Sequence, residues 1–329
     1  MMLRCIAFAL LVVPRIAHGQ PARLVPSGAS LTIPNALEGK RVPVWSGNAL
    51  VVAEGGLTEP NAFLAYDRSG KVVFNAAFSI PGSARTSMRG YARGADGTLA
   101  LCGSSLASDG RSAPFFAWIP ADGGSQEVVR TEPYTPNLIT VAPDGTFWTV
   151  GRELNSRLSE KDSVNLNAGV LRHFDRSGKT LGAYLPRSGF ENPVELGLIN
   201  GYLAASADRV GWFHYMETTG EGAYVEISRH GELTVYPIPR LPNIKNALQV
   251  DGMALTDAND VFVSMRDVGA HSGFSIFWLN RSMKKWLQVA VSPGVTGDAA
   301  MLYGASGSEL VLRLPDDPPS TLHFFAPKR

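Results

Sequence analysis

Six polar residues, Glu54, Ser104, Arg152, Tyr215, Arg266 and Arg313, each close a short apolar stretch, at intervals of 47 to 63 residues. Gathered around one opening they would form a binding ring, and its three arginines point to its chemistry. A guanidinium presents a planar fork of donors that matches carboxylate, sulfate or phosphate oxygens two at a time. Arg85, Arg89, Arg187 and Arg240 lie in the connections between these stretches and would add to the same positive field. The expected ligand-binding set is therefore Glu54, Arg152, Tyr215, Arg266 and Arg313, and the expected ligand is small and anionic or sugar-like. The competing explanation is structural: strands leaving a core end in polar residues in any case.

Histidine offers a second chemistry. His214 and His271 are the catalytic or metal-binding candidates, since Glu217, Glu221 or Asp267 could join them as a metal site or general base. A histidine in a loop is more often simply solvated or hydrogen-bonded. His173, His230 and His323 fall in strands or in a turn away from the opening.

These residues need a repeated scaffold, and the sequence contains one. A tight turn after an apolar strand recurs at Gly47-Asn48, Asp96-Gly97, Asp144-Gly145, Ala207-Asp208, Asn259-Asp260 and Ser306-Gly307. A second turn is nearly identical in two copies, Tyr66-Asp-Arg-Ser-Gly-Lys71 and Phe174-Asp-Arg-Ser-Gly-Lys179, 108 residues apart. Alternating Val, Leu, Phe and Thr broken by Gly, Pro, Asn and Asp reads as short antiparallel strands. A period near fifty residues made of such strands is that of β-propeller blades. The expected fold is all-β, a six-bladed propeller of four-stranded antiparallel blades at about 41–80, 88–132, 137–186, 195–239, 247–292 and 299–329. The last unit lacks a fourth strand, and residues 22–34 form an orphan strand that would close the ring, leaving no long bare edge. Prolines at 34, 81, 133, 186, 239 and 293 mark the handover between units. Residues 152–167 form a long polar insertion, read as a lid, a partner-contact loop or a tolerated surface insertion; seven blades would follow if it hid further strands. The six tryptophans, Trp45, Trp118, Trp148, Trp212, Trp278 and Trp286, fall mostly within strands and are expected to pack between blades.

Composition narrows the setting. Arg4, the apolar run from Cys5 to Val13 and Ala17-His18-Gly19 have the layout of a secretory signal peptide cleaved after Gly19. Nine apolar residues are too few to span a bilayer. Removal of residues 1–19 leaves 28 Lys and Arg against 29 Asp and Glu, and Cys102 as the remaining cysteine. Near-neutral, mixed-sign charge argues against a nucleic-acid partner. Zinc-ligand spacing, a phosphate loop and a dinucleotide fingerprint are absent from the sequence. Residues 20–329 are expected to be one exported, monomeric domain, secreted or periplasmic, with no membrane span.

Ile139-Thr-Val-Ala-Pro-Asp-Gly-Thr-Phe-Trp148 and Gly231-Glu-Leu-Thr-Val-Tyr-Pro-Ile-Pro239 resemble blade segments of the virginiamycin B lyase-like and NHL-type propellers. The resemblance covers about two blades and implies the fold. Enzymes of the lyase group use a metal with a histidine and carboxylates in the central top region. Here Thr149-Val-Gly-Arg152 stands where that group tends to place Thr-Glu, and no histidine takes the catalytic position. The Glu-Gly-Pro entry of lactonase-type propellers is likewise unmatched by Ala53-Glu-Gly-Gly56. The function expected is a non-catalytic scaffold that binds a ligand or protein partner through its top face, with no cofactor. The alternative is a lyase or hydrolase using Ca, Mg or Zn near His214, His271 and Glu54.

Overall fold

Short alternating strands joined by tight turns pair with their sequence neighbours, and the chain folds almost entirely this way. The computed structural model describes residues 23–33, 43–54, 61–153, 165–190, 200–215, 222–239, 248–267, 274–291, 301–314, 318 and 320–328. Among them the only helical element is a single 3-10 turn, Arg187–Gly189, and no helix is long and apolar enough to cross a membrane.

The strands form consecutive antiparallel units of four. The first contains Val44–Ser46, Ala49–Glu54, Asn61–Tyr66 and Val72–Phe78, and the second runs from Ser83–Arg93 to Glu127–Arg130. The third spans Tyr134–Val141 to Thr180–Pro186, the fourth Tyr202–Ala205 to Leu233–Pro237, and the fifth Leu248–Leu255 to Lys285–Gln288. The sixth unit has Met301–Ser306, Glu309–Arg313 and Thr321–Lys328, and Arg23–Pro26 pairs antiparallel with the last of these. Two details depart from the sequence expectation. The inner strand of the second unit begins at Ser83, because two register shifts let it continue past the break expected at 88. The sixth and first units are joined by a parallel bridge between Gly304 and Trp45, so they form one continuous ten-stranded sheet instead of two separate blades. Glycine permits that bridge: a Cβ on Gly304 would lie 2.4 Å from the Trp45 carbonyl oxygen.

Packing follows the same order. Six apolar clusters each lie between two successive units, from Phe63 and Phe78 against Phe115, through to Trp45 and Leu50 against Val311 and Phe324. Second strands are therefore covered on both faces, as in Ala49–Glu54, whereas outer strands such as Thr180–Pro186 are largely exposed. The inner strands also touch their neighbours in cyclic order, with Met301–Ser306 meeting both Leu248–Leu255 and Val44–Ser46. Gly252 allows the closest of these approaches. A Cβ there would sit 1.8 Å from the Leu302 carbonyl oxygen. Gly252→Ala is expected to destabilise the protein by ~1–3 kcal/mol in urea unfolding, as overpacking of a rigid interface does. Gly189→Ala, where a Cβ would meet nothing within 4 Å, should stay within about 0.5 kcal/mol of the parent.

The repeated Asp-Arg-Ser-Gly turns have a second role. In each, the Asp carboxylate accepts backbone N–H bonds two and four residues on, from Ser69 and Lys71 and from Ser177 and Lys179. The following arginine reaches the preceding unit: Arg176 bonds Asp96 at 2.6 Å, and Arg68 pairs with Glu309 and lies over the Phe324 ring at 4.0 Å. A buried cluster similarly ties the fourth unit to the fifth. Glu226, 1 % exposed, accepts from Arg209 at 2.5 Å, from Arg281 at 2.5 Å and from the Tyr224 hydroxyl at 3.0 Å.

Candidate functional site

The inner strands of all six units enclose a cavity of about 720 Å³ that follows their length. One end is bounded by the starts of these strands, at Pro43, Met88, Asn200, Val250 and Met301, and the other by their closing turns. Tyr91, Tyr202, Tyr215 and Tyr303 give the wall aromatic surface with hydroxyl groups. Such a volume suits a small organic ligand.

Polar residues project at one repeated position near the first end. The strand register shifts between Met88 and Gly90, Pro136 and Leu138, Val250 and Gly252, and Leu302 and Gly304. Each shift leaves one extra residue, respectively Arg89, Asn137, Asp251 and Tyr303. A β-bulge of this kind redirects a side chain and recurs next to binding sites. In the fourth unit Asn200-Gly201 holds the corresponding place, with Gly201 seven residues before Asp208 as Gly90 is before Gly97. Three of these residues form a chain across successive units. Arg89 Nη1 donates to Asn137 Oδ1 at 3.3 Å, Asn137 Nδ2 donates to Asn200 Oδ1 at 3.0 Å, and Trp212 Nε1 bonds the Asn200 carbonyl at 3.0 Å. In the fifth unit Asp251 Oδ1 accepts from Gln249 at 2.8 Å and faces Arg266 at 3.8 Å. Tyr202 donates to the Val250 carbonyl at 3.2 Å, and burial together with the Asp251 charge raises its phenol pKa well above the ordinary value.

The residues singled out from the sequence are distributed differently. Tyr215 lines the cavity. Glu54, Arg152, Arg266 and Arg313 stand at or next to the ends of the second strands and Ser104 three residues before the end of Leu99–Ala107, all half-buried, and none lines it. They pair with neighbouring strands, Arg152 opposite Thr135, Arg266 opposite Gln249 and Arg313 opposite Met301. A second strand stands about 4.8 Å outside the first, so the first strand takes the wall. Arg266 is moreover engaged by Gln249 at 2.9 Å and lies over Phe274 at 4.8 Å. Arg187, expected to add to the surface field, is 1 % exposed within the 3-10 turn, while Arg85 and Arg89 are exposed. Arg240, His271, Glu217, Glu221, the Asp267 side chain and residues 154–164 of the insertion lie outside the described residues.

His214 is at the end of its strand and does not line the cavity; strand alternation puts it on the face turned to the third unit, beside Trp212. Phe213 and Tyr215 pack into the cluster between the fourth and fifth units, whereas Trp212 packs into the cluster between the third and fourth. His214 is 2 % exposed, stacked on Trp212 at 4.5 Å and edged by Phe190 at 5.6 Å. Burial lowers its imidazole pKa to about 4, and Nδ1 has no hydrogen-bond partner among the described residues. Among those residues no three His, Cys, Asp or Glu side chains are grouped to hold a metal. Cys102 is fully buried. The sequence signal for the cavity ring was a polar residue followed by glycine in the inner strand, at Arg89-Gly90, Asn200-Gly201, Asp251-Gly252 and, with a polar aromatic, Tyr303-Gly304.

No protein-family model matches the sequence, and no curated protein matches it. Solved structures do resemble the fold. A Bacteroides fragilis protein described as exported superposes with a TM-score of 0.52 at 11% identity, over 94% of this chain and 96% of its own. That likeness establishes a shared fold of repeated antiparallel sheets. A glucose dehydrogenase gives a TM-score of 0.43 at 12% identity, over 92% of this chain and 100% of its own. The Synechocystis apocarotenoid oxygenase gives 0.41 at 9%, over 70% and 55%. These two are too distant to bear on activity.

Proposed function

We propose that the protein is an exported, closed six-bladed β-propeller, akin to the virginiamycin B lyase-like and NHL-type folds, that binds a small polar ligand in its central cavity. The observation that supports this reading is that Arg89, Asp251 and Tyr303, displaced at bulges, and Asn200 at the corresponding place in the fourth unit all line the cavity, with the bulged Asn137 bridging Arg89 to Asn200. A scaffold needing only to pack would have no use for a polar residue thrown out of register at the same depth in four of its units, since each bulge gives up ladder pairing. The apolar clusters and arginine contacts linking each unit to the next support the closed ring, and the signal-peptide layout of residues 1–19 supports export. Geometry supports the reading: Arg89, Asn200, Asp251 and Tyr303 line a prebuilt cavity, which would keep the ordering cost of association low.

The test is a saturation-transfer NMR screen of small polar solutes against residues 20–329, repeated with Asn200→Trp to fill the opening. At least one solute class is expected to bind, and Asn200→Trp is expected to weaken it by about tenfold or more. Binding that persists unchanged in a folded Asn200→Trp protein would place the site elsewhere and end this reading.

A further inference from the structure

The cavity opening is asymmetric in its hydrogen-bonding capacity, and from this we infer that its ligand is a hydroxylated carboxylate whose carboxyl group docks between Arg89 and Asn200. The inference rests on the binding function proposed above and specifies its ligand class. Asn137 spends its amide on its two neighbours, accepting from Arg89 and donating to Asn200. Asn200 in turn spends both oxygens, its side-chain Oδ1 on Asn137 and its backbone carbonyl on Trp212. What this arc offers a ligand is donors: the Asn200 Nδ2 hydrogens and the Arg89 guanidinium, which uses one donor on Asn137 and has five N–H groups in all. The arc therefore complements an acceptor-only group.

Charge selects an anion among such acceptors. Asp251 is matched by Arg266 within the fifth unit. Arg89 is exposed and makes no ion pair among the described residues, its hydrogen bond being to a neutral amide. One uncompensated positive charge then faces the opening, and a planar carboxylate fits the guanidinium fork two oxygens at a time. The rest of the wall calls for a hydroxylated body rather than an apolar one. Tyr91, Tyr215 and Tyr303 line the cavity while packing against the clusters between units, and each brings a phenol group able to bond a ligand's hydroxyl groups.

Isothermal titration of residues 20–329 with glucuronate and with glucose, at low and high salt, tests this. Glucuronate is expected to bind about tenfold or more tighter than glucose and to lose about tenfold in Arg89→Ala, with glucose unchanged within about twofold. Arg89→Lys should restore part of the loss, since the charge returns without the fork, and added salt should weaken glucuronate alone. Equal binding of both sugars, insensitive to Arg89→Ala yet lost in Asn200→Trp, would overturn the carboxylate assignment and leave the cavity site standing. Failure of both sugars also overturns it, and the solute screen then decides separately whether the cavity binds anything.

Discussion

Glu226→Ala is expected to lower stability by ~3–5 kcal/mol, the loss typical of removing one partner from a buried ion pair. In thermal unfolding this should read as a drop on the order of 10 °C. The carboxylate is 1 % exposed, and both of its oxygens are engaged by Arg209 and Arg281. Its removal leaves two guanidinium groups facing each other across the junction of the fourth and fifth units, and the Tyr224 hydroxyl without its acceptor. Glu226→Gln keeps the volume and one acceptor oxygen but not the charge, so it should fall between the two. A Glu226→Ala protein that unfolds within about 1 kcal/mol of the parent would show that the cluster is not what joins these units.

Acid should weaken the protein through His214 before it titrates the carboxylates. The folded-state pKa is about 4 against an ordinary 6.5. Because it is lowered, the unfolded chain takes up a proton as pH drops below 6.5 while the folded chain refuses it until about 4. The neutral imidazole's contribution is thus whole above pH 6.5 and disappears across that window, by about 3 kcal/mol for a shift of this size. His214→Phe retains the ring packing on Trp212 and Phe190 and has nothing to protonate. Parent and variant should be similar at pH 8, and the parent should lose ground steadily toward pH 4. His173, also lowered by burial, is present in both proteins and cancels in the difference. Parallel stability curves for the two would mean that His214 is solvated in solution.

Much of this architecture was legible from local chemistry. Asp96-Gly97 and Asp144-Gly145 mark turns because the glycines take positive φ, +87° and +82°, and the carboxylates cap the backbone after them. Alternation gave the strands, and the orphan strand at residues 22–34 is matched by the pairing of Arg23–Pro26 with Thr321–Lys328. The site was harder to read because its position depends on register. A bulge adds one residue and reverses which side chains face inward, and no composition rule marks Arg89 or Asp251 as the residue displaced. Counting to the ends of the second strands found polar residues one layer outside the wall. His214 stands at the strand end expected of it, but a strand end does not fix which side a residue faces: it stacks on Trp212, in the cluster between the third and fourth units.

The pairing of Arg23–Pro26 with Thr321–Lys328 also sets a timetable. Every other unit can assemble from strands adjacent in the chain, at small loop-closure cost, but this one joins segments nearly 300 residues apart, the kind of contact that forms late and slowly. During synthesis Leu24, completely buried in the finished fold, has no place to go until the last strand emerges. That sheet therefore stays incomplete through most of the chain's production, and is finished only when Thr321–Lys328 reaches Arg23–Pro26.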